Sequence, residues 1–237
     1  MFLITMNKNN LAIIIGNTGS IGSALMNELH KQNFKHVIGL GKSTNPRLDL
    51  LDESSIEQSA NFIKEKNIPI GLIFDATGIL HDKNSNQMPE KTYKNINYNF
   101  MKKNFEINVM GPALIMKYFL PLLDQTNKSI FATLSAKVGS ISDNRYGGWY
   151  SYRASKAALN QMIKTASIEL KSKNKHAICL AIHPGTVTSK LSEPFQKSDL
   201  KIQSAEESAK HIFHILFNSQ HEDSGSFLSW DGSKISW

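Results

Sequence analysis

Cysteine is almost absent from this sequence: Cys179 is the only one among 237 residues. The chain can therefore form no internal disulfide, and it offers no thiolate cluster to a metal. Long apolar runs are also missing, since none reaches the roughly 20 residues that a membrane-spanning helix needs. The first residues have neither a basic segment nor a small-residue cleavage site, so no signal peptide is predicted. Together these absences predict a cytoplasmic protein without a membrane partner.

Basic tracts are missing as well, although the formal net charge is +7. The lysines are spread along the chain and mixed with asparagines, whereas nucleic-acid-binding proteins concentrate basic residues on one element or face. We therefore predict no nucleic-acid partner. Hydrophobic residues make up 41% of the sequence, and no segment has the composition of a disordered region.

Short apolar runs alternate with longer helical patterns along the whole chain. The first run, residues 11–15, is entirely apolar and is followed by glycine, as is typical of a buried parallel strand. Strands are expected at residues 11–15, 36–40, 46–49, 70–74, 129–134, 177–182 and 227–230. Helices are expected at residues 21–30, 52–66, 100–123, 150–171 and 204–218, with a kink at Gly111-Pro112.

This alternation predicts an α/β fold with one Rossmann-type domain, residues 1–237. In it, a doubly wound parallel sheet of about seven strands carries helices on both faces. Ligands of such sheets bind beyond the carboxyl ends of the strands. The loop after the sixth expected strand, residues 189–199, is therefore expected to cover a substrate.

A glycine-rich segment, residues 16–22, links the first strand to the first helix. Glycines allow a sharp turn and a close approach of the backbone to a pyrophosphate, and the helix N-terminus adds free N–H groups. We interpret the segment as a dinucleotide site, and the alternative is a tight turn without a ligand. The expected contacts are Gly16, Thr18, Gly19, Ser20, Ile21 and Gly22.

The end of the second strand distinguishes the two nicotinamide dinucleotides. An acidic residue there binds the ribose hydroxyls of NAD and repels the 2′-phosphate of NADP. Lys42 and Ser43 stand there instead, so NADP(H) is expected in preference to NAD(H). The alternatives are that NAD(H) also binds and that Lys42 is simply a solvated loop residue. Asp49 follows the next expected strand, where it either accepts from the adenine amino group or caps the following helix.

Tyr152 and Lys156 lie one turn apart on an expected helix and share a face. A lysine ammonium favours the phenolate, so we expect it to lower the pKa of Tyr152 below the free value of about 10. A phenol tuned in this way exchanges a proton near neutral pH, as the interconversion of carbonyl and alcohol requires. Tyr98 and Lys102 have the same spacing, but no serine directly follows the strand before them, as Ser135 does before Tyr152, and we interpret them as surface residues.

These motifs resemble the short-chain dehydrogenase/reductase family over nearly the whole chain. Residues 48–52, 134–144 and 183–187 are most similar to its C-factor-like branch, which includes relatives of insect carbonyl reductases. One departure is Ser20, which stands at the family's second glycine with Gly19 before it. The resemblance implies an NADP(H)-dependent oxidoreductase that moves a hydride between nicotinamide and a carbonyl or alcohol, as a homodimer or homotetramer. The alternative is a C-factor-like signalling or regulatory protein that binds the dinucleotide with little or no turnover.

The family's catalytic residues carry over to Asn108, Ser135, Tyr152 and Lys156. The resemblance implies Tyr152 as the general acid in carbonyl reduction and as the base in reverse, with Lys156 lowering its pKa and holding the nicotinamide ribose. Asn108 is implied to hold a water for proton relay, and Ser135 to hydrogen-bond the substrate oxygen. We interpret His183, at the end of the sixth expected strand, as structural. Further cofactor contacts are implied at Lys42, Ser43, Asp49, Leu50, Ala76, Thr77, Gly78, Tyr152, Lys156, Pro184, Gly185, Thr186, Val187 and Thr188.

The assignment of the serine leaves an alternative. Ser135 lies 17 positions before Tyr152, more than is usual in the family, and alignment on Gly139 puts Ala136 at the serine position. We favour Ser135 because it directly follows the apolar strand. Ser140 is the alternative.

Overall fold

The computed structural model describes residues 6–82, 87–189, 194 and 202–237. Its strands are β1 (Leu11–Ile15), β2 (His36–Leu40), β3 (Ile70–Asp75), β4 (Ser129–Leu134), β5 (Ala177–His183), β6 (Thr186–Val187), β7 (Ile202–Gln203) and β8 (Ser226–Ser229). Six of them form a parallel sheet in the order β2-β1-β3-β4-β5-β8, and β6 pairs with β7 in a small separate sheet.

The helices cover both faces of the sheet. They are α1 (Ser20–Lys31), α2 (Glu53–Lys64), α3 (Tyr98–Phe105), α4 (Gly111–Phe119), α5 (Tyr150–Lys173) and α6 (Ala205–Asn218). On one face α1 and α6 pack together over a core that includes Leu25 and Ile212. On the other face the core includes Ile56 of α2, Ile115 of α4 and Leu159 of α5. The expected doubly wound α/β architecture is confirmed.

Two helix starts follow directly from the sequence. Asp52 caps α2, because its side chain accepts from the backbone N–H groups of Ser54 and Ser55. Ser204 and Glu207 form a reciprocal capping box at the start of α6. Across the described part of the chain, no helix has both the length and the apolar character needed to cross a bilayer.

The strand expected at residues 46–49 is absent, and that prediction is wrong. The Leu48 N–H donates to the Gly41 carbonyl across 2.9 Å, and the Thr44 hydroxyl donates to the Pro46 carbonyl across 2.7 Å. These bonds fold the segment back onto the end of β2, so it does not pair at the sheet edge.

The helix expected at residues 100–123 is interrupted where the sequence indicated a kink. A π-helical segment, Glu106–Met110, separates α3 from α4. Pro112 has no N–H to donate to the Asn108 carbonyl, so a regular α-helix cannot continue through this point. The irregular turn therefore falls at a predicted site residue.

Candidate active site

A cleft of about 510 Å³ opens at the carboxyl edge of the main sheet. Its wall is made by residues that follow β1, β3, β4 and β5, together with Tyr152 and Lys156 of α5. This is the position at which doubly wound sheets bind ligands. The lining consists of Thr18, Gly19, Ser20, Ile21, Ala76, Thr77, Gly78, Ile79, His81, Leu134, Ser135, Tyr152, Lys156, Pro184 and Ser189.

The other predicted site residues surround this cleft without lining it. Some support its wall from behind, and others lie at the end of β2 or in the turn after β5. They are Gly16, Gly22, Lys42, Ser43, Asp49, Leu50, Asn108, Gly185, Thr186, Val187 and Thr188.

The turn after β1 has the shape of a phosphate cradle. Gly16 has φ +82°, and a Cβ on Gly22 would lie 2.3 Å from the Gly16 carbonyl oxygen. Only glycine fits both places without strain. Gly19 precedes α1 and contributes no side-chain cap, so the first N–H groups of the helix and its partial positive charge face the cleft. The chain's own residues therefore fit the pyrophosphate of a dinucleotide.

Two cations meet at one carboxylate beyond the end of β2. Lys42 Nζ lies 3.1 Å from Asp49 Oδ1, and Arg47 pairs with Oδ2 of the same residue. Burial acts to raise the pKa of Asp49, but the hydrogen bond from the Leu51 N–H and the two cations outweigh it and lower the pKa below its usual value. Because α2 is capped by Asp52, the alternative in which Asp49 is the cap is wrong.

Leu50 and Ser43 take different positions near this cluster. Leu50 packs on the start of α4, where a Cβ on Gly111 would lie 2.8 Å from the Leu50 Cβ. Ser43 is exposed in the loop after β2. Neither residue contributes to the cleft wall.

A buried carboxylate closes the end of β3 behind the cleft. Asp75 accepts from the Thr77 backbone N–H at 3.0 Å, from the Thr77 hydroxyl at 2.6 Å and from the Thr133 hydroxyl at 3.0 Å. Burial raises the pKa of Asp75, and these hydrogen bonds and Lys156 oppose the rise. The network fixes the backbone at Ala76 and Thr77, which line the cleft.

Tyr152 and Lys156 lie side by side, and both are almost completely buried. Lys156 Nζ lies 5.9 Å from the Tyr152 ring centroid and donates to the Leu134 carbonyl across 2.9 Å. Burial lowers the pKa of Lys156 to about 8, against the attraction of Asp75. A lysine with that pKa is mostly charged at neutral pH.

The expected lowering of the Tyr152 pKa is wrong for this structure. Burial raises the pKa of Tyr152 above its ordinary value, because the loss of water penalises the charged phenolate. The phenol therefore carries its proton at neutral pH. In that state it can donate a proton to an oxygen atom in the cleft.

The second tyrosine–lysine pair lies on the surface, as expected. Tyr98 is 79% exposed. Lys102 pairs with Glu106 at 3.7 Å. Neither residue contributes to the cleft.

Asn108 is buried behind the cleft wall. Its Oδ1 accepts from the Ile79 N–H at 2.8 Å, and its Nδ2 donates to the Ile79 carbonyl at 2.9 Å and to the Ser155 hydroxyl at 3.0 Å. The side chain thus ties the segment after β3 to α5. A Cβ on Gly78 would lie 3.3 Å from both Asn108 Oδ1 and Lys156 Nζ, so glycine lets this segment approach the lysine.

The structure distinguishes the two candidate serines by position. Ser135 lines the cleft, and its hydroxyl donates to Asn160 Oδ1 across 2.6 Å. Ser140 is also buried, but its hydroxyl accepts from the Asp143 N–H at 3.1 Å and it does not line the cleft. The geometry therefore favours Ser135.

Comparison with known proteins decides the family. A sequence model of the short chain dehydrogenase family matches residues 44–199. This chain belongs to that family. It is accordingly an NAD(P)-dependent oxidoreductase.

Two curated relatives of this short chain dehydrogenase differ in what their names say. The 1-hydroxy-2-glutathionyl-2-methyl-3-butene dehydrogenase of Rhodococcus sp. (strain AD45) is 29% identical over 197 residues, which cover 83% of this chain and 81% of that protein. The C-signal protein of Myxococcus xanthus is 30% identical over 142 residues, which cover 60% of this chain and 81% of that protein.

Solved structures support the fold of this short chain dehydrogenase. The NADPH-bound carbonyl reductase from chicken fatty liver has a TM-score of 0.85 at 23% identity, with 99% of this chain and 96% of that chain covered. The carbonyl reductase Sniffer of D. melanogaster has a TM-score of 0.83 at 20% identity, with 97% of this chain and 100% of that chain covered.

The turn after β5 contributes to the cleft at its first residues. Pro184 lines the cleft, and Gly185, with φ +80°, turns the chain away from it. Thr186 and Val187 form β6, and the Thr188 N–H donates to the Gln203 carbonyl across 2.9 Å. The loop expected to cover the substrate is described only at Ser189 and residue 194, and the rest of it lies outside the described residues.

His183 ends β5 outside the cleft wall. Burial lowers its pKa to about 4, with a further contribution from Lys137 and against the attraction of Asp231. The imidazole is therefore neutral at physiological pH. These properties agree with a structural rather than a catalytic histidine.

Sequence reasoning missed the residue that caps the start of α5. Trp149 precedes α5 with φ +53° and gives no side-chain cap. Glu90, 61 positions before Ser151, supplies it: the Glu90 carboxylate accepts from the Ser151 N–H at 3.1 Å and from the Ser151 hydroxyl. The Glu90 carbonyl also accepts from the Trp149 N–H at 2.6 Å. No local pattern indicates a cap contributed from so far along the chain.

Proposed function

We propose that residues 1–237 form a single cytoplasmic catalytic domain that reduces a carbonyl compound with NADPH, or oxidises the corresponding alcohol with NADP+. One observation carries the proposal. Tyr152, protonated and buried, lies beside Lys156 in the wall of a cleft that the glycine turn before α1 also lines. That arrangement places a proton donor and a dinucleotide cradle around the same space.

A bound nicotinamide dinucleotide would supply or take the hydride. Tyr152 donates its phenolic proton to the carbonyl oxygen as the substrate carbon gains the hydride, and the product is an alcohol. In the reverse direction the phenolate accepts the proton. Lys156 stabilises the phenolate left by proton donation, which lowers the barrier to that step. Ser135 donates a hydrogen bond to the same substrate oxygen.

We further propose that Asn108 acts indirectly in this cleft. Its side chain is fully used in holding Ile79 and Ser155. The predicted water for proton relay would therefore bind to its main-chain carbonyl. Pro112 has no N–H and cannot donate the usual α-helical hydrogen bond to that carbonyl. We propose that the residues after β3 and the Pro184–Thr188 turn contact the nicotinamide half of the cofactor.

The pair of cations at Asp49 supports a preference for NADP(H). Lys42 and Arg47 are largely exposed, while the carboxylate that orders them is mostly buried. The cluster carries one net positive charge at the position where a 2′-phosphate would bind, and charge-assisted hydrogen bonds to phosphate are strong. The Asp49 carboxylate already binds both cations. If it also accepted a hydrogen bond from the adenine amino group, as predicted, one carboxylate would serve all three groups.

The preference is tested by dissociation constants for NADPH and NADH. We expect NADPH to bind more tightly to the wild-type protein. In a Lys42→Ala/Arg47→Ala variant, the dissociation constant for NADPH should rise at least about 10-fold, the equivalent of one lost charged hydrogen bond, with that for NADH unchanged. Lys64→Ala, an exposed lysine of α2, is the control. Equal or tighter NADH binding by the wild-type protein would refute the preference.

The similarity to C-signal favours one second candidate, a signalling or regulatory protein that binds the dinucleotide with little or no turnover. The purified chain with NADPH and a panel of aldehydes, ketones and quinones separates the two. We expect consumption of NADPH with at least one carbonyl class. Tight NADPH binding without consumption on any of them would favour the second candidate.

We also propose that the chain forms a homodimer or homotetramer through α4 and α5. Between these helices lies a cleft of about 480 Å³ lined by Met116, Leu120, Met162 and Ala166. On α5, Ile168 is a further exposed apolar side chain, at 65%. Light scattering should give an oligomer for the wild-type protein and a smaller species for Met162→Asp. A monomeric wild-type protein would refute this proposal.

A further inference from the structure

A buried hydrogen bond joins the cleft wall to the middle of α5. Ser135 Oγ donates to Asn160 Oδ1 across 2.6 Å, and each residue is 3% exposed. Asn160 follows Lys156 by one helical turn. Its other amide atom, Nδ2, is buried and has no hydrogen-bond partner. Buried N–H donors are rarely left unsatisfied.

The orientation of this amide decides what Ser135 can do. When Ser135 donates to Asn160, its proton points away from the cleft, and only lone pairs face a substrate oxygen. The two ends of a carboxamide are nearly equal in size, so a half-turn of the amide places Nδ2 against Ser135 Oγ. The unsatisfied donor then has a partner, and the serine proton is free to point into the cleft. The exchange leaves a buried carbonyl oxygen without a partner, which is tolerated better than an unpaired N–H.

We propose that Asn160 is a positioning residue: it donates to Ser135 Oγ and so directs the serine hydroxyl at the substrate's carbonyl oxygen. The inference rests on the proposed carbonyl chemistry. That oxygen then accepts two hydrogen bonds, from Tyr152 and Ser135, and both strengthen as negative charge develops on it.

Asn160→Asp is the most informative variant. The side chains have the same shape, but an ionised carboxylate only accepts, so Ser135 must donate to it and the substrate loses a donor. We expect kcat to fall about 100-fold at pH 8, the size of effect seen when one such donor is removed. The ratio of variant to wild-type kcat should rise as the pH falls, since a protonated carboxyl can donate to Ser135 again.

Among the described residues, the side chains that line the small cavity beside Asn160 include no aspartate or glutamate. Lys156 and Lys164 lie one turn away on either side along α5, and Lys137 lies on the turn after β4. Lys164 and Gln161 line the same small cavity as Asn160. The three lysines are present in both proteins, so the ratio of the two kcat values reports the substituted carboxyl.

Asn160→Ala separates positioning from packing. It removes both the acceptor and the donor, so Ser135 keeps its proton but is no longer directed. We expect a loss of about 10-fold that does not vary with pH, smaller than the loss in Asn160→Asp. A purely structural role predicts the opposite order, because alanine deletes more of a buried side chain.

Two further variants complete the test. In a Ser135→Ala background, Asn160→Asp should have no additional pH-dependent effect. Asn174→Asp replaces a buried asparagine after the far end of α5, where Nδ2 donates to the Asp124 carbonyl at 3.0 Å; it should lower Tm and leave the pH profile of kcat unchanged.

Three results would overturn the role of Asn160. These are a wild-type pH profile and kcat in Asn160→Asp, a larger loss in Asn160→Ala than in Asn160→Asp at every pH, and full turnover in Ser135→Ala. Failure of the proposed function itself gives a different result, namely full turnover in Tyr152→Phe.

Discussion

Two lysines at opposite edges of the sheet have nearly the same local environment. Lys156 is 3% exposed and donates to the Leu134 carbonyl across 2.9 Å, while Lys128 is 1% exposed and donates to the Phe217 carbonyl across 2.8 Å. Burial lowers the pKa of each to about 8. By burial, bonding and pKa alone the two residues cannot be told apart.

Their positions in the fold separate them. Lys156 lies at the carboxyl edge of the sheet beside Tyr152, in the wall of the cleft. Lys128 precedes β4 at the amino edge, and its ammonium satisfies a carbonyl in the last turn of α6. A perturbed pKa is therefore a guide to function only where the topology of the sheet also places a ligand.

The largest expected difference between the two lysines appears when each is replaced by methionine. Lys156→Met removes the charge beside Tyr152, and we expect kcat to fall about 100-fold or more. Lys128→Met removes an equally buried charge far from the cleft, and kcat should stay within about twofold of wild type. Rates of NADPH oxidation at saturating substrate measure both. A comparable loss of turnover in folded Lys128→Met would contradict the distinction.

A second test compares two acidic caps. Glu90 fixes the start of the helix that carries Tyr152 and Lys156, so Glu90→Ala should misplace both and lower kcat about 10-fold. Glu90→Gln keeps an acceptor and should recover most of the activity. Glu207→Ala removes one half of the capping box of α6 and should lower Tm without changing kcat. Equal kcat values for Glu90→Ala and Glu207→Ala would show that Glu90 has no positioning role.

The smallest expected effect concerns stability and pH. Each lysine has a folded pKa of about 8, below its unfolded value of about 10.4. Between these values the unfolded chain binds more protons, so the free energy of unfolding should rise with pH across that window. Each methionine substitution should remove a part of this rise, on the order of 1 kcal/mol. Urea unfolding at a series of pH values checks this, and an unchanged slope in both variants would contradict the lowered pKa values.

Much of the fold could be predicted from short-range patterns. The apolar run of β1, the Asp52 cap and the Ser204 capping box each depend on neighbouring residues, and the structure has all three. The Tyr152 and Lys156 pair was also predictable, since helical spacing places both on one face. The strand predicted at residues 46–49 was wrong because strand propensity cannot reveal that the Leu48 N–H donates to the Gly41 carbonyl.

The remaining features depend on contacts between distant parts of the chain. The cap from Glu90 to Ser151 and the bond from Ser135 to Asn160 join residues far apart in sequence. The pKa of Tyr152 was predicted with the wrong sign because it depends on burial, which only the packed structure determines.

The most direct test of the central claim is single-turnover oxidation of bound NADPH by a carbonyl substrate in wild type and Tyr152→Phe, with the NADPH dissociation constant measured on the same samples. The phenylalanine variant keeps the ring and loses only the hydroxyl. We predict an unchanged dissociation constant and a rate lower by about 100- to 10,000-fold, the range for loss of a general acid. A folded Tyr152→Phe variant that oxidises NADPH at the wild-type rate would contradict the account.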